Sequence, residues 1–141
     1  MAYDPNNVFA RIVRGELPAH RVYEDSETLA FMDLMPQSDG HTLVIPKRAG
    51  EGLLDTPPES LAAAIKTTQR VADAVSRAFA PDGIVLTQFN GAAAGQTVFH
   101  LHFHIIPVYA GCSMAKHARI AASQEQLVEH AARIRAALGH A

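Results

Sequence analysis

Three histidines stand at alternate positions in the run Gly95-Gln96-Thr97-Val98-Phe99-His100-Leu101-His102-Phe103-His104-Ile105-Ile106-Pro107. Successive side chains of an extended strand point to opposite faces. The spacing therefore predicts a strand from about Val98 to Val108, with His100, His102 and His104 on one face. Leu101, Phe103 and Ile105 fall on the other, turned towards a core. A single strand histidine is ordinarily a half-buried hydrogen-bonding residue, but three in register crowd groups that repel one another when protonated. Two kinds of chemistry use such a set. Neutral imidazoles bind a transition metal, and His-x-His pairs on strands suit that task. Alternatively, one imidazole attacks phosphorus while its neighbours hold the phosphate. An unperturbed pKa of about 6.5 leaves a ring nitrogen unprotonated at neutral pH, and a phosphoramidate intermediate splits one hard displacement into two easier ones. The flanks favour phosphorus. Gly95 lets backbone N–H groups approach an anion, and Gln96 and Thr97 add an amide and a hydroxyl. No Asp or Glu in the stretch supplements a metal site.

The elements around this run read as follows. A helix is expected over about 5–14, with Asp4 as cap, Pro5 in the first position and Gly15 after the end. Short strands are expected at Arg21–Glu24 and Thr28–Asp33, and a stronger one at Thr42–Pro46, closed by a proline that cannot donate to a ladder. The longest helix, about 58–80, opens on Thr56-Pro57-Pro58-Glu59, a capping-box pattern. Leu61, Ile65, Thr68, Ala72, Val75 and Phe79 form its apolar stripe. A strand over Ile84–Asn90 follows, then a small-residue turn, Gly91 to Gly95. A last helix, about 124–138, has Ser123 and Gln126 as a capping box and Leu127, Ala131, Ile134 and Leu138 as its stripe. Sequential strands with short turns predict an antiparallel sheet with helices packed on it, an α+β domain.

The chain has 141 residues, enough for one domain with its own core. Hydrophobic residues at 48% against 18% charged exclude a mostly disordered chain. Lys+Arg at 12 against Asp+Glu at 14 argues against sequence-independent binding of nucleic acid, which draws on a basic excess; a small phosphorylated ligand needs only a local site. The single cysteine, Cys112, excludes an intrachain disulfide and a cysteine-rich zinc site. No basic region followed by an apolar stretch opens the chain, and no apolar run approaches a membrane span. A cytoplasmic protein without membrane or nucleic-acid partners is expected.

The histidine run resembles the signature of the histidine triad (HIT) family of nucleotide hydrolases and transferases. The stretch from Phe9 to Pro18 resembles that family's N-terminal helix and loop, and Ala30 to Leu34 and His41 to Lys47 resemble its middle strands. The resemblance covers about residues 5–109 of a single domain spanning 1–141 and leaves a helical tail, about 110–141, unmatched. It implies a five-stranded antiparallel sheet with a short N-terminal helix and a long helix, and a homodimer across which the sheet continues, with the helix at 58–80 in the interface. It further implies hydrolysis at the α-phosphate of purine nucleoside phosphoramidates or dinucleoside polyphosphates, releasing AMP or GMP without a cofactor. His102 matches the nucleophile, His104 the residue that binds the α-phosphate, and His100 the residue whose carbonyl orients the nucleophile. Gln96 and Thr97 match groups around the phosphate and leaving group, with Gly95 beside them. Asp33 matches the ribose-binding carboxylate. Leu34, Phe9, Ile12 and Leu17 match walls of the base pocket, and His41 a further histidine behind the triad.

Three departures from the family pattern stand out. Asn7 and Ala10 stand where many bacterial members carry Cys-x-x-Cys for structural zinc, so no metal is expected. Phe89 stands where Asn or Gln is usual. Asn90 follows it and is a second candidate for the phosphate; in an extended chain the two point to opposite faces. Val108 replaces a common Arg after Pro107. A nucleotide-binding module with little catalysis, and a metal protein using the three histidines, are the alternatives.

Overall fold

The computed structural model describes residues 2–115 and 120–139. The elements run α1 (Val8–Val13), β1 (Arg21–Glu24), β2 (Thr28–Met32), β3 (Thr42–Pro46), α2 (Pro58–Phe79), β4 (Gly83–Thr87), a 3-10 turn (Ala92–Ala94), β5 (Phe103–Val108) and α3 (Gln124–Gly139). The strands form one antiparallel sheet in the order β1-β2-β3-β5-β4. This is the α+β architecture read from the sequence, with β4 at one edge.

The two middle strands are apolar on both faces because the sheet is covered on both sides. Leu29 and Phe31 of β2 and Leu43 and Ile45 of β3 share one face with Phe9 and Ile12 of α1. Ala30, Met32, Val44 and Ile105 lie on the other face, under Val71, Ala74 and Val75 of α2 and Leu127, Ala131, Ile134 and Leu138 of α3. Each strand's period of two sorts its residues between these cores.

Several expected boundaries move, each for a local reason. The first helix starts at Val8, capped by Asn7, whose Oδ1 accepts from the Ala10 N–H at 2.9 Å. Asp4 instead accepts from the Asn6 N–H, building a turn before the helix. Thr56 does not cap α2; its hydroxyl donates to the Gly52 carbonyl and accepts from the Gly50 N–H. Ser123 does cap α3, accepting from the Gln126 N–H at 3.1 Å. The Gln126 side chain reaches out to Asp39 rather than back to Ser123. The strand β2 ends at Met32 and β4 at Thr87, short of Asp33 and Asn90.

Two corrections are larger. In α2 the buried residues are Ser60, Ala64, Thr67, Thr68, Val71, Ala74 and Val75. The observed face is rotated away from the predicted stripe, leaving Ile65 44% exposed. Small residues let the helix approach the sheet closely, and the Thr67 hydroxyl meets that of Thr28 at 2.8 Å inside the contact. The last strand begins only at Phe103, so the segment holding His100 and His102 is not strand. The cause is Pro46. The Lys47 N–H donates to the Glu27 carbonyl on the β2 side, so the nitrogen of the preceding residue faces the β5 side. Proline has no hydrogen there. The ladder stops, and the Pro46 carbonyl meets the His100 ring instead.

Candidate active site

His104 is placed by β5, where it pairs with Leu43 on one side and Thr87 on the other. Its ring stands 4.9 Å from that of His102, centroid to centroid. His102 sits one residue before the strand, with Phe9 of α1 edge-on to it at 4.9 Å. Its Nδ1 lies 2.7 Å from the His100 carbonyl oxygen. A carbonyl only accepts, so His102 carries its proton on Nδ1 and its lone pair on Nε2. The His100 carbonyl thus meets the His102 ring although both residues precede the strand.

His100 is turned inward, away from its two neighbours. Its Nε2 donates to the Pro46 carbonyl at 2.8 Å, and its Nδ1 accepts from the Tyr3 hydroxyl at 2.8 Å. The ring is completely buried. That burial, opposed in part by the Pro46 carbonyl, pushes its pKa down to about 4. With both nitrogens engaged, His100 does not converge with His102 and His104 on one ion. Asp33, His41 and His104 are the groups among the described residues whose ligand atoms approach one another, within 4.8 Å.

A cleft opens beside His102 and His104. Phe9, Ile12, Phe31 and Leu43 form its apolar walls, and Asp33, Leu34 and Thr97 its rim. Its volume, ≈150 Å³, is below the roughly 300–1,000 Å³ of pockets that enclose a whole drug-sized ligand. It therefore suits one flat moiety of a ligand, with the remainder at the open edge. Asp33 is held by the Met35 N–H, which donates to Oδ1 at 2.8 Å. Its Oδ2 faces His41 Nε2 at 3.4 Å. His41, fully buried, connects by Nε2 to His104 Nδ1 at 3.0 Å.

Other candidates lie apart from this cleft. Leu17 packs at the margin of the α1 core, while Pro18 and Ala19 next to it line the cleft. Gln96 is buried, its amide bonded to the Gly91 N–H and the Glu51 and Val98 carbonyls. It fastens the loop rather than facing the histidines. Asn90 accepts from the Leu53 N–H at 2.7 Å and exchanges hydrogen bonds with Gln88. Phe89 is the member of that pair beside the triad, its ring 5.5 Å from that of His104. Gly95 closes the 3-10 turn with φ +107°, a conformation that side-chain-bearing residues rarely adopt. Sequence reasoning missed Tyr3, whose partner is 97 residues away. It also missed Phe31 and Leu43, although their alternation with Ala30 and Val44 places them on the His104 side.

The HIT domain matches residues 14–111, more than half of the chain. An uncharacterized HIT-like protein of Mycobacterium tuberculosis is 47% identical over 100 residues, covering 71% of this chain and 69% of that protein. Adenylylsulfatase HINT3 of Arabidopsis thaliana is 44% identical over 100 residues, 71% of this chain and 51% of that longer protein. Among solved structures, a Hit-like protein involved in cell-cycle regulation from Bartonella henselae superposes with TM-score 0.91 at 52% identity, covering 97% of this chain and 99% of that one. A Zn-bound histidine triad family protein from Mycobacterium smegmatis superposes with TM-score 0.83 at 38% identity, covering 96% and 94%. Motif, fold and relatives agree, and the chain belongs to the histidine triad (HIT) family.

Proposed function

We propose that the protein is a nucleotide hydrolase that cleaves at the α-phosphate of purine nucleoside phosphoramidates or dinucleoside polyphosphates and releases AMP or GMP. The observation that carries this reading is the 2.7 Å bond from His102 Nδ1 to the His100 carbonyl, which presents the Nε2 lone pair beside an apolar cleft. The purine stacks between Phe9, Ile12 and Leu34, and the ribose hydroxyls donate to Asp33. His102 Nε2 attacks phosphorus; the bond from phosphorus to the leaving amine or phosphate breaks, and the leaving group takes the proton of the Thr97 hydroxyl, which the water of the second step restores. Water then attacks the nucleotidyl-histidine, frees the monophosphate and restores the imidazole. The protein's part is positioning and stabilisation of charge, with His104 as the donor to the phosphoryl oxygen.

The reading includes a homodimer. Ile84, Val85 and Leu86 of the edge strand β4 are exposed, and Ile65 and Ala72 of α2 lie beside them. An apolar sheet edge is a surface that proteins ordinarily cover, and a second copy of β4 would continue the sheet. Among the described residues no helix is long and apolar enough to cross a membrane.

The test is hydrolysis of an adenosine phosphoramidate. His102→Asn is expected to lose at least about a thousandfold in kcat, as the loss of a covalent nucleophile does; equal rates would reject the mechanism. A second reading, a nucleotide-binding module with little turnover, is favoured by Phe89, which sets a hydrocarbon ring beside His104 where an amide would stabilise charge. Calorimetric binding of AMP with no hydrolysis across a panel of substrates would select it.

A further inference from the structure

Asp33, His41 and His104 form a chain whose proton positions follow from its donors and acceptors. The Gln37 backbone N–H donates to His41 Nδ1 at 3.0 Å. An amide nitrogen never accepts, so His41 carries its proton on Nε2. That proton faces two acceptors, His104 Nδ1 at 3.0 Å and Asp33 Oδ2 at 3.4 Å. When it goes to His104, His104 Nδ1 is the acceptor and its own proton sits on Nε2, on the side of the ring away from His41. When it goes to Asp33, the choice between the two nitrogens of His104 is no longer fixed. The carboxylate that competes for the proton also lines the cleft.

We infer that Asp33 and His41 couple recognition of the sugar to the proton pattern at the phosphate. Ribose hydroxyls that donate to Asp33 Oδ2 weaken its hold on the His41 Nε2–H. That proton then settles in the bond to His104, and His104 is set as an Nε2–H donor towards the transferring phosphoryl group. His41 is a positioning residue and acts only through His104. The inference rests on the proposed hydrolase reading and narrows it: the substrates are ribonucleotides, and their hydroxyls raise the rate as well as the affinity. The anchor of the chain is itself tied down. Gln37, whose N–H fixes His41, exchanges two bonds with Ala115, its carbonyl accepting the Ala115 N–H at 2.8 Å and its amide donating to the Ala115 carbonyl at 3.1 Å.

Histidine ¹⁵N resonances distinguish the two tautomers directly and need no turnover. AMP is expected to move His41 and His104 to the full Nε2–H pattern, and 2′,3′-dideoxy-AMP is expected to bind without doing so. In the kinetic assay, the dideoxy form of the phosphoramidate should lose about tenfold in kcat, the worth of one ordinary hydrogen bond. His41→Phe should lose about a hundredfold in kcat with KM little changed, as when one pre-aimed donor is removed, and the sugar hydroxyls should then no longer affect kcat. His41→Gln, which can offer an amide N–H to His104, should recover most of the rate. Equal resonance shifts with both nucleotides, a dideoxy effect confined to KM, or a stoichiometric divalent ion held by the three groups would overturn the coupling. None of these results touches the hydrolase reading, which falls instead if the wild type does not turn over the phosphoramidate; the resonance experiment still decides the coupling in that case.

Discussion

At the scale of single residues, the decisive groups are those whose partner can play only one part. The carbonyls of His100 and Pro46 only accept, and the N–H of Gln37 only donates. These three fix the tautomers of His102, His100 and His41 in turn. His100 holds no ligand, yet its ring and carbonyl lock the neighbour that is proposed to react. Its neutrality in the fold has a cost in acid. Burial keeps its pKa near 4 in the folded protein against about 6.5 when unfolded. Between those values the unfolded chain takes up the proton and the native one does not. Stability is therefore full above about pH 6.5 and falls as the pH drops towards 4, by a total of the order of 3 kcal/mol. Urea unfolding at steps from pH 7 to pH 4 should follow that decline. His100→Asn should start less stable and decline less over the same window; an identical slope in both proteins would mean that other groups cause it.

At the scale of elements, the site depends on two irregular segments more than on the strands. The loop 47–57 and the segment 88–101 are laced together. The Gly50 carbonyl accepts from the Leu101 N–H, Glu51 from Gln96, and Asn90 from the Leu53 N–H. Asp55 closes the loop by accepting from the Glu51 and Gly52 N–H groups, and these bonds, Gly52's first, hold its carboxyl below the usual range. There is no space at Gly50: a Cβ would come within 2.5 Å of Asp55 Cγ and 2.6 Å of its backbone oxygen. Gly50→Ala is expected to destabilise the fold by about 2 kcal/mol through overpacking and to lower kcat through Leu101 and His102, as chemical denaturation and the phosphoramidase assay would register. The reach of sequence reading follows the same division. Strands β1 to β3 and helix α3 were legible because short apolar runs bounded by turn residues and 3.6-residue periodicity are local signals. His102, His104 and Asp33 were legible from their motifs. The rotation of α2 was not, because the helix has two partly apolar faces and only the shape of the sheet chooses the one with small residues. The early end of the strand ladder was also hidden: Pro46 was visible, but which side its nitrogen faces depends on pairing with β2. Tyr3 was out of reach of any local pattern.

At the scale of the whole molecule, the sheet separates two tasks. The face under α2 and α3 carries the larger apolar core, and the face under α1 carries the cleft. Among its described residues, the tail after Tyr109, unmatched in the sequence reading, reaches the loop at 34–40. Ala115 bonds to Gln37, and the Ala122 N–H donates to the Leu34 carbonyl. It thereby braces the loop that joins Asp33 to His41. The β4 edge makes the remaining prediction. With Leu86 49% exposed in an apolar strip, Leu86→Asp should convert the proposed dimer to a monomer in sedimentation analysis. A wild type that sediments as a monomer at micromolar concentration would remove the dimer from the reading.

The missing hydrogen at Pro46 has one further consequence. A residue such as valine at that position would supply an N–H towards β5, and the chain ahead of Phe103 could then zip into a longer, more regular hairpin. Such a protein is expected to resist heat better, while His100 loses its carbonyl and His102 its bearing. The truncated ladder is where this fold exchanges regularity for the placing of two imidazoles.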